Sequence, residues 1–200
     1  MPVQDIRSFN TDALSPFAIE ILKIHLEDAY TRLVVAGEAN PEAKAKLEGA
    51  TPDRLIVGEI RSREDACALL SGLWLWHDGL DESHRISQDL SSDTGSFWHA
   101  IMHRREGDFS NAKYWYARCA AHPVQAAMYQ NAVGLINQLP ADKRLLRLVN
   151  QSWSASAFVD LVQDAHRAGP GDPMQQAAVS LQQLEWRYLF DHCTRDAAGK

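Results

Sequence analysis

The feature that most constrains this chain is a recurring start signal. A capping residue followed by proline stands at the head of segments whose apolar residues return every three to four positions. Ser15-Pro16, Asn40-Pro41, Thr51-Pro52 and Asp172-Pro173 all read this way. Proline suits the first helical position because its missing N–H has no partner there in any case. The Val/Ile/Thr alternation that strands need does not occur. The expected fold is therefore all-α: one helical domain over 1–200, a bundle of about seven or eight helices.

The caps and breakers divide the chain. A helix is predicted from Ser15-Pro16 to about Gly37, with Leu22, Leu26, Ala29 and Leu33 on one face and Phe17, Ile21 and Ile24 on another. A second, from Arg63 to Asp78, is apolar nearly all round and belongs at the centre of the fold. Residues 80–90 read as helix, and 91–95 as loop. Ser96 to Glu106 follows, closed by Gly107 as a left-handed cap. Asp108 or Ser110 caps the next helix. His122-Pro123 breaks that helix, and further helices are expected near 124–138, 141–151 and 156–168. The run Gly169-Pro170-Gly171-Asp172-Pro173 precedes a last helix to about Arg195.

A formal net charge of −6 argues against a general nucleic-acid binder. No apolar run approaches the roughly 18–20 residues needed to cross a bilayer. The first fifteen residues lack the basic start and apolar stretch of a secretory leader. Cys67, Cys119 and Cys193 form no CxxC pair and read as free thiols in a reducing, cytoplasmic setting. Cys193 lies among polar residues, which suits either a catalytic thiol or a half-buried structural cysteine. Phosphate-binding loops, GxSxG and HExxH are all absent.

Chemistry gathers instead at 77–113. If helicity runs through Gly79, then His77, Asp81 and His84 at i, i+4 and i+7 share an arc of about 60°. His99, His103 and Glu106 repeat the spacing on the next helix. A short loop between the segments makes them antiparallel neighbours and brings His84 toward His99. Imidazoles and carboxylates so placed are the ligand set of zinc or iron. His77, His84, His99 and His103 are the candidate metal ligands, with His103 and Glu106 as candidate catalytic groups. The candidate cofactor is a divalent metal, zinc or iron. A metal-free polar network, a small-ligand pocket and a purely structural use are the competing readings of the same residues.

Beyond the stripe, Arg104, Arg105, Lys113 and Arg118 alternate with Trp98, Tyr114, Trp115 and Tyr116. Basic and aromatic side chains together can hold a phosphate, a carboxylate or a stacked base. Arg104, Arg105 and Lys113 are thus candidate ligand-binding residues, although aromatics at helical spacing also build cores.

The block from Phe97 to Trp115, FWHAIMHRREGDFSNAKYW, resembles the signature block of a family of bacterial all-helical proteins with no assigned activity. Trp76 to His84 and Glu185 to Cys193 are similar to the same family, so the likeness spans most of 70–195. It implies an all-helical fold and assigns no catalytic residue. A fainter likeness to one tetratricopeptide repeat rests on Gly107-Asp108-Phe109, Ala112, Tyr116 and Pro123. At least about three such units are needed for a solenoid, and one is visible.

Three roles compete. The first is a small-molecule-binding protein or metal-dependent enzyme with a His/carboxylate pocket at 77–106. The second is a metal-free scaffold or peptide-binding protein using the Trp/Arg-rich block 97–118. The third is a purely structural use of that block. The partners expected are a small-molecule ligand, neither nucleic acid nor membrane, with a homo-oligomer left open.

Overall fold

In a computed structural model of the chain, residues 11–139 and 141–200 are described. Most of the stretch read for a leader falls outside them. Ten α-helices occur among the described residues: α1 Pro16–Lys23, α2 Pro41–Leu47, α3 Arg63–Trp76, α4 Leu80–Ser87, α5 Asp93–Glu106, α6 Phe109–Arg118, α7 Pro123–Ile136, α8 Lys143–Leu148, α9 Ala155–Ala168 and α10 Pro173–Ala198. A single 3-10 turn, Pro52–Arg54, lies between α2 and α3. The fold is all-α, with one isolated antiparallel bridge among the described residues, between Leu14 and Ile56. No described helix is long and apolar enough to cross a membrane.

Most of the caps work as the sequence implies, although Thr51 makes no side-chain cap bond and Thr51-Pro52 opens only the 3-10 turn. Ser15, Asn40, Ser62, Asp108 and Asp172 each accept a backbone N–H of their own first turn through a side-chain oxygen. Gly107 closes α5 at φ 91°, a conformation that costs glycine nothing. Ser92 caps α5 through the Gly95 N–H, so the helix starts at Asp93, inside the segment expected to be loop.

The largest departure is the first helix. It stops at Lys23 instead of running to about Gly37. His25 and Tyr30 adopt positive φ, and the chain crosses the bundle irregularly. Tertiary bonds outweigh local propensity here. Gln182 donates to the Arg32 carbonyl at 2.9 Å, Arg105 donates to the same oxygen at 3.3 Å, and the Tyr30 ring stacks on Trp76 at 5.7 Å.

At the centre, α3 and α10 pack against each other and against α5. The Trp186 indole N–H donates to the Gly72 carbonyl at 2.9 Å, and its ring lies 4.4 Å from Trp76. Trp98 reaches across to donate to Cys193 Sγ at 3.4 Å. Trp76, Trp98 and Trp186 are all fully buried. Each removes the large apolar area that makes aromatic side chains dominate a core. Trp98 is therefore not available to line a groove. Cys193 is buried too, and burial pushes its thiol well above the usual range, which fits the structural reading.

Candidate metal centre

Helices α4 and α5, with the tight turn that precedes α4, bring the histidines together. The chain leaves α3 through Asp78 at φ 64° and Gly79, which caps α4. Glycine is required at 79, because a Cβ there would lie 2.6 Å from the Trp74 ring. The break turns α4 onto α5 and carries His84 to His99, with ring centroids 4.7 Å apart. His103, one turn along α5, sits 4.6 Å from His99 and 5.4 Å from His84. One ring nitrogen from each of the three lies within 4.8 Å of the other two. His99 and His103 are buried and His84 is half-buried.

The remaining hydrogen bonds bear on which nitrogen of each ring carries the proton. The Ser87 hydroxyl meets His99 Nδ1 at 3.2 Å while pointing its own proton at the His84 carbonyl. Glu106 Oε2 meets His103 Nδ1 at 3.0 Å. Both contacts favour the proton on Nδ1 and leave the Nε2 lone pair for another partner. At His103 that lone pair accepts from the Asn111 amide at 3.0 Å. No ring nitrogen of His84 has a hydrogen-bond partner among the described residues. Burial, reinforced by His103 and His84, lowers His99 to about 4, and burial also lowers His103 against the opposing pull of Glu106. Neutral imidazole is the ligand form, and carboxylate or hydroxyl contacts to the second nitrogen are the usual outer support of a metal site.

The third wall is α6. Asn111 faces His103, and the Trp115 ring lies 4.3 Å from His99. Their i, i+4 spacing matches that of His103 and His99 on the antiparallel α5. Glu106 connects the site to the surface, since it also lines a polar cleft of about 220 Å³ shared with Asp78, Asp81 and Glu82.

Other expected residues lie elsewhere. His77 is not beside the trio. The break at Asp78 and Gly79 ends the helical register, and His77 Nε2 instead meets the Ile21 carbonyl at 2.9 Å. Arg104 and Arg105 are fully buried structural cations, not lines of a ligand pocket. Arg104 pairs with Glu185 at 2.6 Å and donates to the Tyr116 hydroxyl, and Arg105 pairs with Asp78 at 2.5 Å and donates to the Leu75 carbonyl at 2.6 Å. Lys113 forms a surface pair with Asp160 at 2.5 Å. Ser87, Asn111 and Trp115 join the histidines only in the folded protein. Asn111 read as part of a capping turn, and Trp115 as one of the aromatics of the basic block, for ligand binding or for core; only the repeat of the i, i+4 step on α6 could have linked them to the histidines. No protein-family model, curated protein or solved structure matches the chain.

Proposed function

We propose that this protein binds a divalent transition metal through His84, His99 and His103, and uses it to activate water on a small molecule. The observation that carries this reading is the convergence of three imidazoles, two of them pushed by burial toward the neutral form, with no carboxylate inside the ring of three. Three histidines are a set used by catalytic zinc, because they leave a coordination position for water or substrate. Bound there, a zinc-class ion would lower the pKa of its water to about 7. Ser87 and Glu106 orient the imidazoles. Trp115 shields His99 from water on one side, and Asn111 would have to release its bond to His103 Nε2 for that nitrogen to hold a metal.

The Phe97–Trp115 block contains His99, His103, Glu106, Asn111 and Trp115. We therefore propose that the chain belongs to the bacterial family that this block resembles, and that the block encodes this site. The three free cysteines support a reducing, cytoplasmic setting.

The test is a zinc titration of chelator-treated protein by calorimetry. One equivalent should bind at the trio, and His99→Ala or His103→Ala should remove it while circular dichroism stays helical. Metal-dependent hydrolysis of 4-nitrophenyl acetate should be lost in the same variants. Unchanged zinc binding in the double variant would rule the reading out.

A further inference from the structure

A second group of metal-ligating side chains lies where the first turn of α3 meets the last turns of α10. One ligand atom each from Asp65, His192 and Asp196 lies within 4.8 Å of the other two. His192 Nε2 and Asp196 Oδ2 are 3.6 Å apart, an ordinary i, i+4 arrangement along one helix. The convergence of Asp65 from a different helix is not ordinary. Among the described residues neither carboxylate pairs with a lysine or an arginine. Asp65 is half-buried. Its carboxyl is raised above the usual range by burial, opposed by the Ser62 hydroxyl and reinforced by the neighbouring Asp196. Two carboxylates therefore face one another beside a single imidazole.

The ligands are also held from outside. The Ser62 hydroxyl donates to Asp65 Oδ2 at 2.5 Å and leaves the second oxygen for another partner. The His192 ring stands edge-on to His122 at 4.7 Å. His122 is itself fixed: its Nδ1 accepts the Val124 N–H at 3.2 Å, and its Nε2 meets the Thr94 hydroxyl at 3.2 Å. Side chains positioned in this way by neighbours outside the cluster are typical of pre-organised ligands.

We infer that Asp65, His192 and Asp196 form a second divalent-cation site, independent of the histidine trio. The mixture of one imidazole with two carboxylates selects a borderline ion of the zinc or manganese kind over calcium or magnesium, which prefer oxygen alone. Two carboxylates match the charge of a divalent ion. The partial exposure of Asp196 leaves room for water to complete the coordination shell. Because the ligands come from α3 and α10, the ion clamps the end of the last helix to the central one. Binding at this site is therefore expected to raise the melting temperature.

The test uses chelator-treated full-length protein titrated with zinc and, separately, with manganese, with calorimetry and melting temperature as readouts. Wild-type protein should show two independent sites. His99→Ala/His103→Ala should retain one of them together with its thermal stabilisation. Asp65→Asn or His192→Gln in the wild-type background should weaken one site by about tenfold or more and leave the other intact. These positions are partly exposed, so the variants should fold. A wild-type protein that binds one equivalent, lost in the trio variant and untouched by Asp65→Asn/His192→Gln, overturns this site and leaves the trio standing. Binding that survives only at Asp65, His192 and Asp196 does the reverse. No binding at all overturns both.

Discussion

Glu185→Leu should be among the most damaging single substitutions in this protein, because it strands a charge. Arg104 and Glu185 are both fully buried, 2.6 Å apart, and Tyr116 bridges them by donating to Glu185 Oε1 at 2.9 Å while accepting from Arg104. The Arg104 guanidinium also lies 4.5 Å from the Phe158 ring centroid. Removing one partner of a buried pair costs about 3–5 kcal/mol, since the other charge stays desolvated and uncompensated. Unfolding entropy near 2.1 cal/mol/K per residue gives about 0.4 kcal/mol per degree for this chain, so the melting temperature should fall by roughly 10 °C. The triple variant Arg104→Met/Tyr116→Phe/Glu185→Leu removes both charges and the hydroxyl at similar volume. It should recover most of the loss, because an apolar replacement of a buried ion pair is often neutral or better. Urea denaturation and calorimetry of metal-free protein at pH 7 measure both. A Glu185→Leu protein within about 1 kcal/mol of wild type, or a triple variant no more stable than the single, would refute the assignment of Arg104 to the core.

Three further outcomes are expected. Glu106→Ala, at an exposed position, should change stability by less than about 0.5 kcal/mol yet weaken zinc binding about tenfold, because it frees His103 Nδ1; equal affinity in a titration would exclude the positioning role. Stability should fall as the pH drops from about 6.5 toward 4. His99 and His122 are both lowered by burial to about 4, so their contribution is complete above the unfolded value of about 6.5 and lost through the folded one, up to about 3 kcal/mol for each. A urea midpoint that stays flat from pH 7 to 4.5 would show that neither histidine is desolvated. Gly72→Ala should destabilise by about 1–3 kcal/mol despite alanine's helix advantage of about 1 kcal/mol, because the new Cβ would lie 2.7 Å from the Trp98 ring; a stabilised variant in a thermal melt would contradict this packing.

Much of the helical framework was legible because its signals are local. Capping by Ser62, Asp108 and Asp172 depends on bonds made within one turn, and residue type and spacing encode those directly. The same holds for the i, i+4 pair His99 and His103, which share a face once α5 is recognised. The early end of α1 was not legible. Its cause lies in Gln182 and Arg105, which hold the Arg32 carbonyl, and in Trp76, which stacks on the Tyr30 ring, all from far along the chain. Nor could the sequence separate Arg104 and Arg105 from ligand-binding arginines, because their partners Glu185 and Asp78 become neighbours only through folding.

The histidine stripe divides along the same line. By itself the sequence determined that the chain is helical, and that His84 and His99 flank a short connection between helices. Whether His77 joined them depended on one backbone step. Positive φ at Asp78 and the crowding of Gly79 against Trp74 end the α3 register, turn His77 toward Ile21 and leave His84 to meet α5. The convergence of Asp65 with His192 and Asp196 was likewise decided by the packing of α3 on α10, since contacts between residues distant in sequence leave no periodic trace in it.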